Sequence, residues 1–120
     1  MMEIITMFFF LLIGHAVADY ALQPPNIALG KNRNAGPPPG YDPGAHGKIL
    51  PIWPMVMTAH ALIHAGAVII ITGDPILGAW QFAAHFLIDT LKCEKMYNVF
   101  VDQFLHVVVL FATAVVAGMT

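Results

Sequence analysis

Residues 53–72 read WPMVMTAHALIHAGAVIIIT, an apolar run whose only ionisable side chains are His60 and His64. A run of about 20 apolar residues is what an α-helix needs to cross the hydrocarbon core of a bilayer. Residues four apart lie on the same face of a helix, so the two imidazoles point the same way. Polar side chains at membrane depth are costly and are usually retained for a site. This run therefore predicts a transmembrane helix with one functional face.

Three further apolar segments repeat the pattern, with pairs spaced four apart at His15 and Asp19, His85 and Asp89, and Asp102 and His106. The chain is 58% hydrophobic and 10% charged, whereas about 25% of residues are charged in soluble domains. We therefore expect an all-α fold, a four-helix transmembrane bundle that forms a single integral membrane domain over residues 1–120. The predicted helices cover residues 4–22, 53–72, 75–91 and 97–119.

The breaks between these helices follow from proline and glycine. Residues 24–51 are rich in both and predict a long irregular loop between the first two helices, because proline cannot continue a helix. Asp74, between Gly73 and Pro75, is expected to cap the third helix. Gly66 and Gly78 are expected to let neighbouring helices approach closely.

The cations predict the orientation. All 5 Lys and Arg residues lie in segments 24–51 and 92–96, at positions 31, 33, 48, 92 and 95. Cationic loops remain in the cytoplasm, so we expect a multi-pass protein of the cytoplasmic (inner) membrane with both termini outside. A cleaved signal peptide ending near Ala18 is the alternative for the first segment. Glu3 and the lack of a cation before the apolar run argue against that alternative.

Antiparallel helices would arrange the pairs in two tiers about one turn, roughly 5–6 Å, apart. The deeper tier contains only histidines and the shallower tier contains the carboxylates. The deeper tier is His15, His64, His85 and His106, and the shallower tier is Asp19, His60, Asp89 and Asp102.

Imidazole and carboxylate groups suit Zn, Fe, Mn or Ni, and all eight residues are candidate ligands for one or two divalent ions, with Zn favoured. Two ions roughly 3.5–4 Å apart are used for phosphoester hydrolysis. Asp19, Asp89 and Asp102 are the candidate catalytic residues, since a carboxylate beside a metal can accept a proton from water. Lys31 and Lys92 are candidate contacts for a substrate phosphate. Cys93 is the only cysteine, so a thiolate cluster is excluded.

We interpret the chain as a metal-dependent hydrolase of a phosphoester or lipid-linked substrate that enters from the inner leaflet. The alternatives are a metal-ion or proton transporter that uses the His/Asp cluster, and a non-catalytic membrane protein with a structural metal. Imidazoles that only hydrogen-bond between helices are a further alternative. The sequence lacks serine, which excludes a serine hydrolase, and it shows no basic stripe or phosphate loop that would indicate nucleic acid. A homo-oligomer remains open.

The ordered motifs resemble a small polytopic membrane-protein family of bacteria and their phages, known chiefly as a domain of unknown function. The resemblance covers nearly the whole chain. The chain is also similar, more loosely, to membrane-bound metal-dependent hydrolases. This second resemblance implies the hydrolase activity. The matching residues are His15, Asp19, Gln23, Lys31, Asn32, His60, His64, His85, Asp89, Lys92, Asp102, Gln103 and His106.

Overall fold

The computed structural model describes residues 2–35 and 52–119, and every regular element within these ranges is a helix. The predictions for residues 36–51, which include Lys48 and His46, lie outside the described residues. The elements are α1 (Met2–Ala16), a π-helical turn (Val17–Ala21), α2 (Pro25–Gly30), α3 (Trp53–Thr72), α4 (Pro75–Cys93) and α5 (Val99–Gly118).

Three helical segments are long and apolar enough to cross a membrane, namely Glu3–Ala21, Trp53–Thr72 and Val99–Gly118. The fourth long helix, α4, is not among them, because Gln81, His85 and Asp89 lower its hydropathy. Large apolar side chains cover much of the outer surface; Ile70 is 85% exposed and Phe100 is 81% exposed. A surface of this kind suits lipid better than water.

The long helices contact one another in a closed cycle. Helix α3 packs against α1 and α4, and α5 packs against α1 and α4. A buried apolar layer lies one turn away from the histidines, because Leu11 precedes His15 by four residues and Leu110 follows His106 by four. The buried members of this layer are Leu11, Val68, Leu77, Leu110 and Ala114.

The helix ends show how the sequence stops and restarts the chain. Gly73 ends α3 with a φ of 73°, a left-handed conformation that glycine adopts without a steric penalty. The Asp74 side chain accepts a hydrogen bond from the Ile76 backbone N–H at 2.8 Å, which confirms the predicted cap. Asn98 caps α5 in the same way, through the Val101 N–H at 2.9 Å. Helix α5 therefore begins two residues later than expected.

The prediction of an irregular loop from residue 24 onward is wrong at its start, where α2 forms. Pro25 occupies the first turn of α2, where its missing N–H is not needed and its φ already suits a helix. Helix α2 packs against α3, and a Cβ added at Gly30 would lie 3.3 Å from Val56. Pro24 and Pro25 therefore separate the first helical segment from α2.

The two glycines predicted to allow close packing differ, and this difference provides a matched test. A Cβ at Gly78 would lie 2.3 Å from Ile69 Cγ1 and 3.3 Å from the Ala65 carbonyl, whereas a Cβ at Gly66 would meet nothing within 4 Å. The close-packing prediction therefore holds for Gly78 and is wrong for Gly66.

We expect Gly78→Ala to destabilise the protein by about 1–3 kcal/mol through overpacking between α3 and α4. Gly66→Ala should be neutral or stabilising by up to about 1 kcal/mol, because alanine favours the helix. Thermal unfolding in detergent measures both variants. Equal stability of the two would contradict the close approach of α4 to α3.

Candidate metal centre

Five buried imidazoles from four helices meet in the centre of the molecule. The rings of His64 and His85 stack with centroids 3.7 Å apart, and His85 and His106 are 4.5 Å apart. His15 lies 5.1 Å from both His64 and His106. His60 lies 4.8 Å from His64 on the same helix. None of the five side chains is more than 6% exposed.

Asp19 joins α1 to α3 within this cluster. Its Oδ1 lies 3.0 Å from His64 Nε2 and 3.3 Å from His60 Nε2, and its Oδ2 lies 3.4 Å from His15 Nε2. Asp19 sits in the π-helical turn, an element that is frequent at functional sites. The spacing of His15 and Asp19 fits an uninterrupted α-helix equally well, so the sequence carried no signal for this turn.

The other two carboxylates lie on α4 and α5. Asp89 Oδ2 is 3.5 Å from His60 Nε2 and 3.6 Å from His85 Nε2. The Asp102 carboxylate is 3.4 Å from His106 Nε2. Both carboxylates are almost completely buried, at 2% and 1% exposed. Burying a carboxylate is costly unless a cation or hydrogen-bond donors stabilise it.

These side chains form two groups in which one ligand atom per residue lies within 4.8 Å of every other. The four-ligand group is Asp19, His60, His64 and His85, and the three-ligand group is Asp89, Asp102 and His106. We call these seven residues, together with His15, the centre. The grouping crosses the two predicted tiers, since each group contains members of both tiers. His15 lies beside the four-ligand group and belongs to neither.

Several donor atoms of these side chains have no hydrogen-bond partner among the described residues. The Nε2 atoms of His60, His85 and His106 are buried and lack a hydrogen-bond partner among the described residues. An orphaned polar atom of this kind costs about 1–3 kcal/mol. The carboxylate oxygens nearest to these nitrogens are 3.3, 3.6 and 3.4 Å away. These side chains could therefore hold a metal ion.

Gln103 connects the two groups. Its Nε2 donates to Asp19 Oδ2 at 3.1 Å and to Asp102 Oδ2 at 3.0 Å, and its Oε1 lies 3.1 Å from His15 Nε2. From the sequence, Gln103 points away from the Asp102 face and favours a hydrogen bond between helices. It does bridge α5 to α1, and it also orients two carboxylates of the centre.

Gln81 is a further buried polar side chain, which the four spaced pairs do not include. It is 1% exposed, and its Oε1 has no hydrogen-bond partner among the described residues. It precedes His85 by one turn and lines a cavity of about 10 Å³ together with His15 and His64. A cavity of this size has room for about one water molecule. The spacing of Gln81 and His85 carries a signal, because it extends the polar face of α4 by four residues.

The two predicted lysine contacts differ. Lys31 is 4% exposed, and its ammonium lies 2.5 Å from Asp89 Oδ2. Lys92 is half-buried and makes no ion pair within residues 2–35 and 52–119. The Lys31 side chain therefore points into the centre, whereas the Lys92 side chain lies at the margin of the centre.

Tyr97, in the turn between α4 and α5, lies beside the carboxylates. Burial, followed by the negative charges of Asp102 and Asp89, raises the pKa of Tyr97 to about 12. Its hydroxyl remains protonated at neutral pH and donates a hydrogen bond to the Ile88 carbonyl. This hydrogen bond ties the turn to α4.

Comparison of the chain with protein-family models, with curated proteins and with solved structures finds no match.

We expect His64→Ala and His85→Ala each to lose most of the bound metal, because removing one ligand leaves the others with poor geometry. His46→Ala is the control, since His46 is the one histidine outside the spaced pairs. Elemental analysis of detergent-purified variants measures the metal. Equal metal content in all three variants would mean that the clustered histidines serve only packing.

Proposed function

We propose that this protein is a metal-dependent hydrolase of the membrane, built as a four-helix transmembrane bundle and acting on a phosphoester or lipid-linked substrate. The observation that carries the proposal is the convergence of Asp19, His60, His64 and His85 in the buried centre. Imidazole and carboxylate ligands without a thiolate are the ligand types of catalytic zinc sites, and with four protein ligands in place a fifth coordination position would have to take the water. Iron, manganese and nickel share this ligand preference.

Helix α4 is the proposed fourth span. Its polar side chains, Gln81, His85 and Asp89, are buried against the other helices. Its opposite face is apolar and exposed, with Ile76 at 78% and Leu87 at 59%. Its polar residues thus face the centre, where other protein groups can satisfy them.

The proposed orientation places the ends of the helices nearest Asp19 and Asp89 toward the cytoplasm. The support is the distribution of the 5 Lys and Arg residues, all of which lie in segments 24–51 and 92–96. In a bacterium this corresponds to the cytoplasmic membrane. A C-terminal reporter that is active only outside the cytoplasm tests the orientation: the fusion should be active, and a fusion that is expressed in the membrane but inactive would reverse the proposed orientation.

Each residue of the site has a separate role in the proposed phosphoester hydrolysis. A divalent ion at the four-ligand group would supply electrostatic activation of the phosphoester and of the attacking water. Asp102 is the proposed proton acceptor, because its Oδ1 is buried, has no hydrogen-bond partner among the described residues and lies beside His106. Gln103 orients both Asp19 and Asp102. Lys92, at the cytoplasmic margin, would attract a phosphate.

A lipid-linked substrate is supported by a groove between α1 and α3. The groove has a volume of about 370 Å³ and is lined by Gly14, Ala18 and Gly66 among other apolar residues. Ala18 adjoins Asp19 in the chain, so the groove runs along the outside of the centre. An acyl chain in this groove would place its headgroup near the cytoplasmic end.

Transport is the second candidate, and Gln81 is the observation that favours it, since this polar side chain lies on the outer side of the histidines. The same level is otherwise closed by Leu11, Val68 and Leu110. Apolar layers oppose the transfer of ions. This layer favours a site that opens to one side only.

We expect Asp102→Asn to lower turnover of a generic phosphoester by about 10²–10⁴-fold while metal remains bound, because a general base is lost. Asp19→Asn should lose both metal and turnover. Asp74→Asn is the matched control, since Asp74 caps α4 away from the centre and asparagine caps equally well. Chelation should reproduce the loss in the wild type, and added metal should reverse it.

Flux through sealed liposomes separates the two candidates. The hydrolase should move neither metal nor protons across the bilayer. Uptake that Asp102→Asn abolishes would overturn the hydrolase in favour of the transporter.

A further inference from the structure

The ammonium of Lys31 lies at the three-ligand group of Asp89, Asp102 and His106. Lys31 ends α2, and its Nζ lies 2.5 Å from Asp89 Oδ2. Lysine is almost never buried to this degree unless it is paired. Asp89 is also a member of the three-ligand group with Asp102 and His106. The Lys31 ammonium therefore already contacts Asp89, one of the three ligands that a second metal ion would use.

Two neighbouring contacts hold Lys31 in this position. Arg33 forms an ion pair with Glu94, and the Asn34 side-chain amide donates to the Cys93 carbonyl at 3.1 Å. These contacts join residues 31–34, which we name the strap, to the C-terminal end of α4. The packing of α2 against α3 holds the chain before Lys31, and the strap contacts hold the chain after it.

The charges of the centre balance with one divalent ion. Metal ligands bind as ionised carboxylates and neutral imidazoles. Asp19, Asp89 and Asp102 then contribute three negative charges, while Lys31 and one divalent ion contribute three positive charges. A second divalent ion beside Lys31 would leave two excess positive charges among buried side chains, which is strongly unfavourable.

We propose that Lys31 is the resident cation of the three-ligand group, so that the protein binds one divalent ion, in the four-ligand group. A second ion enters only when the ammonium is removed. This inference rests on the proposed metal-binding function and specifies its stoichiometry. It also gives Lys31 a role different from the substrate contact that its position in the sequence indicates.

The test is the number of zinc ions bound per chain at saturation, measured by elemental analysis on the monodisperse, detergent-purified protein. We expect one zinc in the wild type and two in Lys31→Met, a twofold increase. Lys31→Arg keeps the cation and should bind one zinc. Lys92→Met makes the same charge change outside the two ligand groups and should also bind one.

A second pair of variants covers the case in which Lys31→Met does not fold. With Lys31 in place, Asp102→Asn should retain one zinc per chain, whereas Asp19→Asn should retain none. Two zinc ions in the wild type, one in Lys31→Met, or loss of zinc from Asp102→Asn would each overturn the inference and leave the metal centre standing. No zinc in the wild type would overturn the inference and the proposed function together.

Discussion

The carboxylate of Asp19, which lies between helices within a candidate membrane span, is the constraint on which the rest of the structure depends. A buried carboxylate is tolerated only where donors or cations surround it. Asp19 meets this requirement through His15 on its own helix and through His60 and His64 on α3. Gln103 adds a hydrogen bond from α5. One carboxylate therefore fixes how three helices pack.

The sequence was informative wherever the relevant spacing is local. Residues four apart share a helix face whatever the tertiary structure, so the four polar pairs could be assigned to inward faces before any contact was known. The cap at Asp74 was predictable for the same reason, because it involves only the next two residues. In the described residues the fold is helical, as expected.

What the sequence could not predict depends on contacts between distant residues or on small changes in helical geometry. The π-helical turn that carries Asp19 preserves the pair spacing and leaves no trace in the pattern. Lys31 and Asp89 are 58 residues apart, and their ion pair depends on α2 packing against α3. The division of ligands into two groups follows from side-chain directions. The position of a residue along its helix gives only its depth and therefore does not determine this division.

An apolar layer covers one side of the centre, and the Lys31–Asp89 ion pair lies on the other side. Beyond the histidines lie Leu11, Val68 and Leu110, an apolar layer at whose level Gln81 is the polar side chain identified above. On the opposite side, the strap holds Lys31 against Asp89. This asymmetry supports the proposal of a site that opens to one side only.

X-ray absorption spectroscopy of the metal-loaded protein tests the central claim most directly, because it reports the ligands of the ion itself. We predict nitrogen and oxygen neighbours at about 2.0–2.1 Å, with the outer scattering of three imidazoles from His60, His64 and His85. A spectrum with sulfur neighbours, or with oxygen neighbours and no imidazole scattering, would contradict a metal ion held by this His/Asp centre.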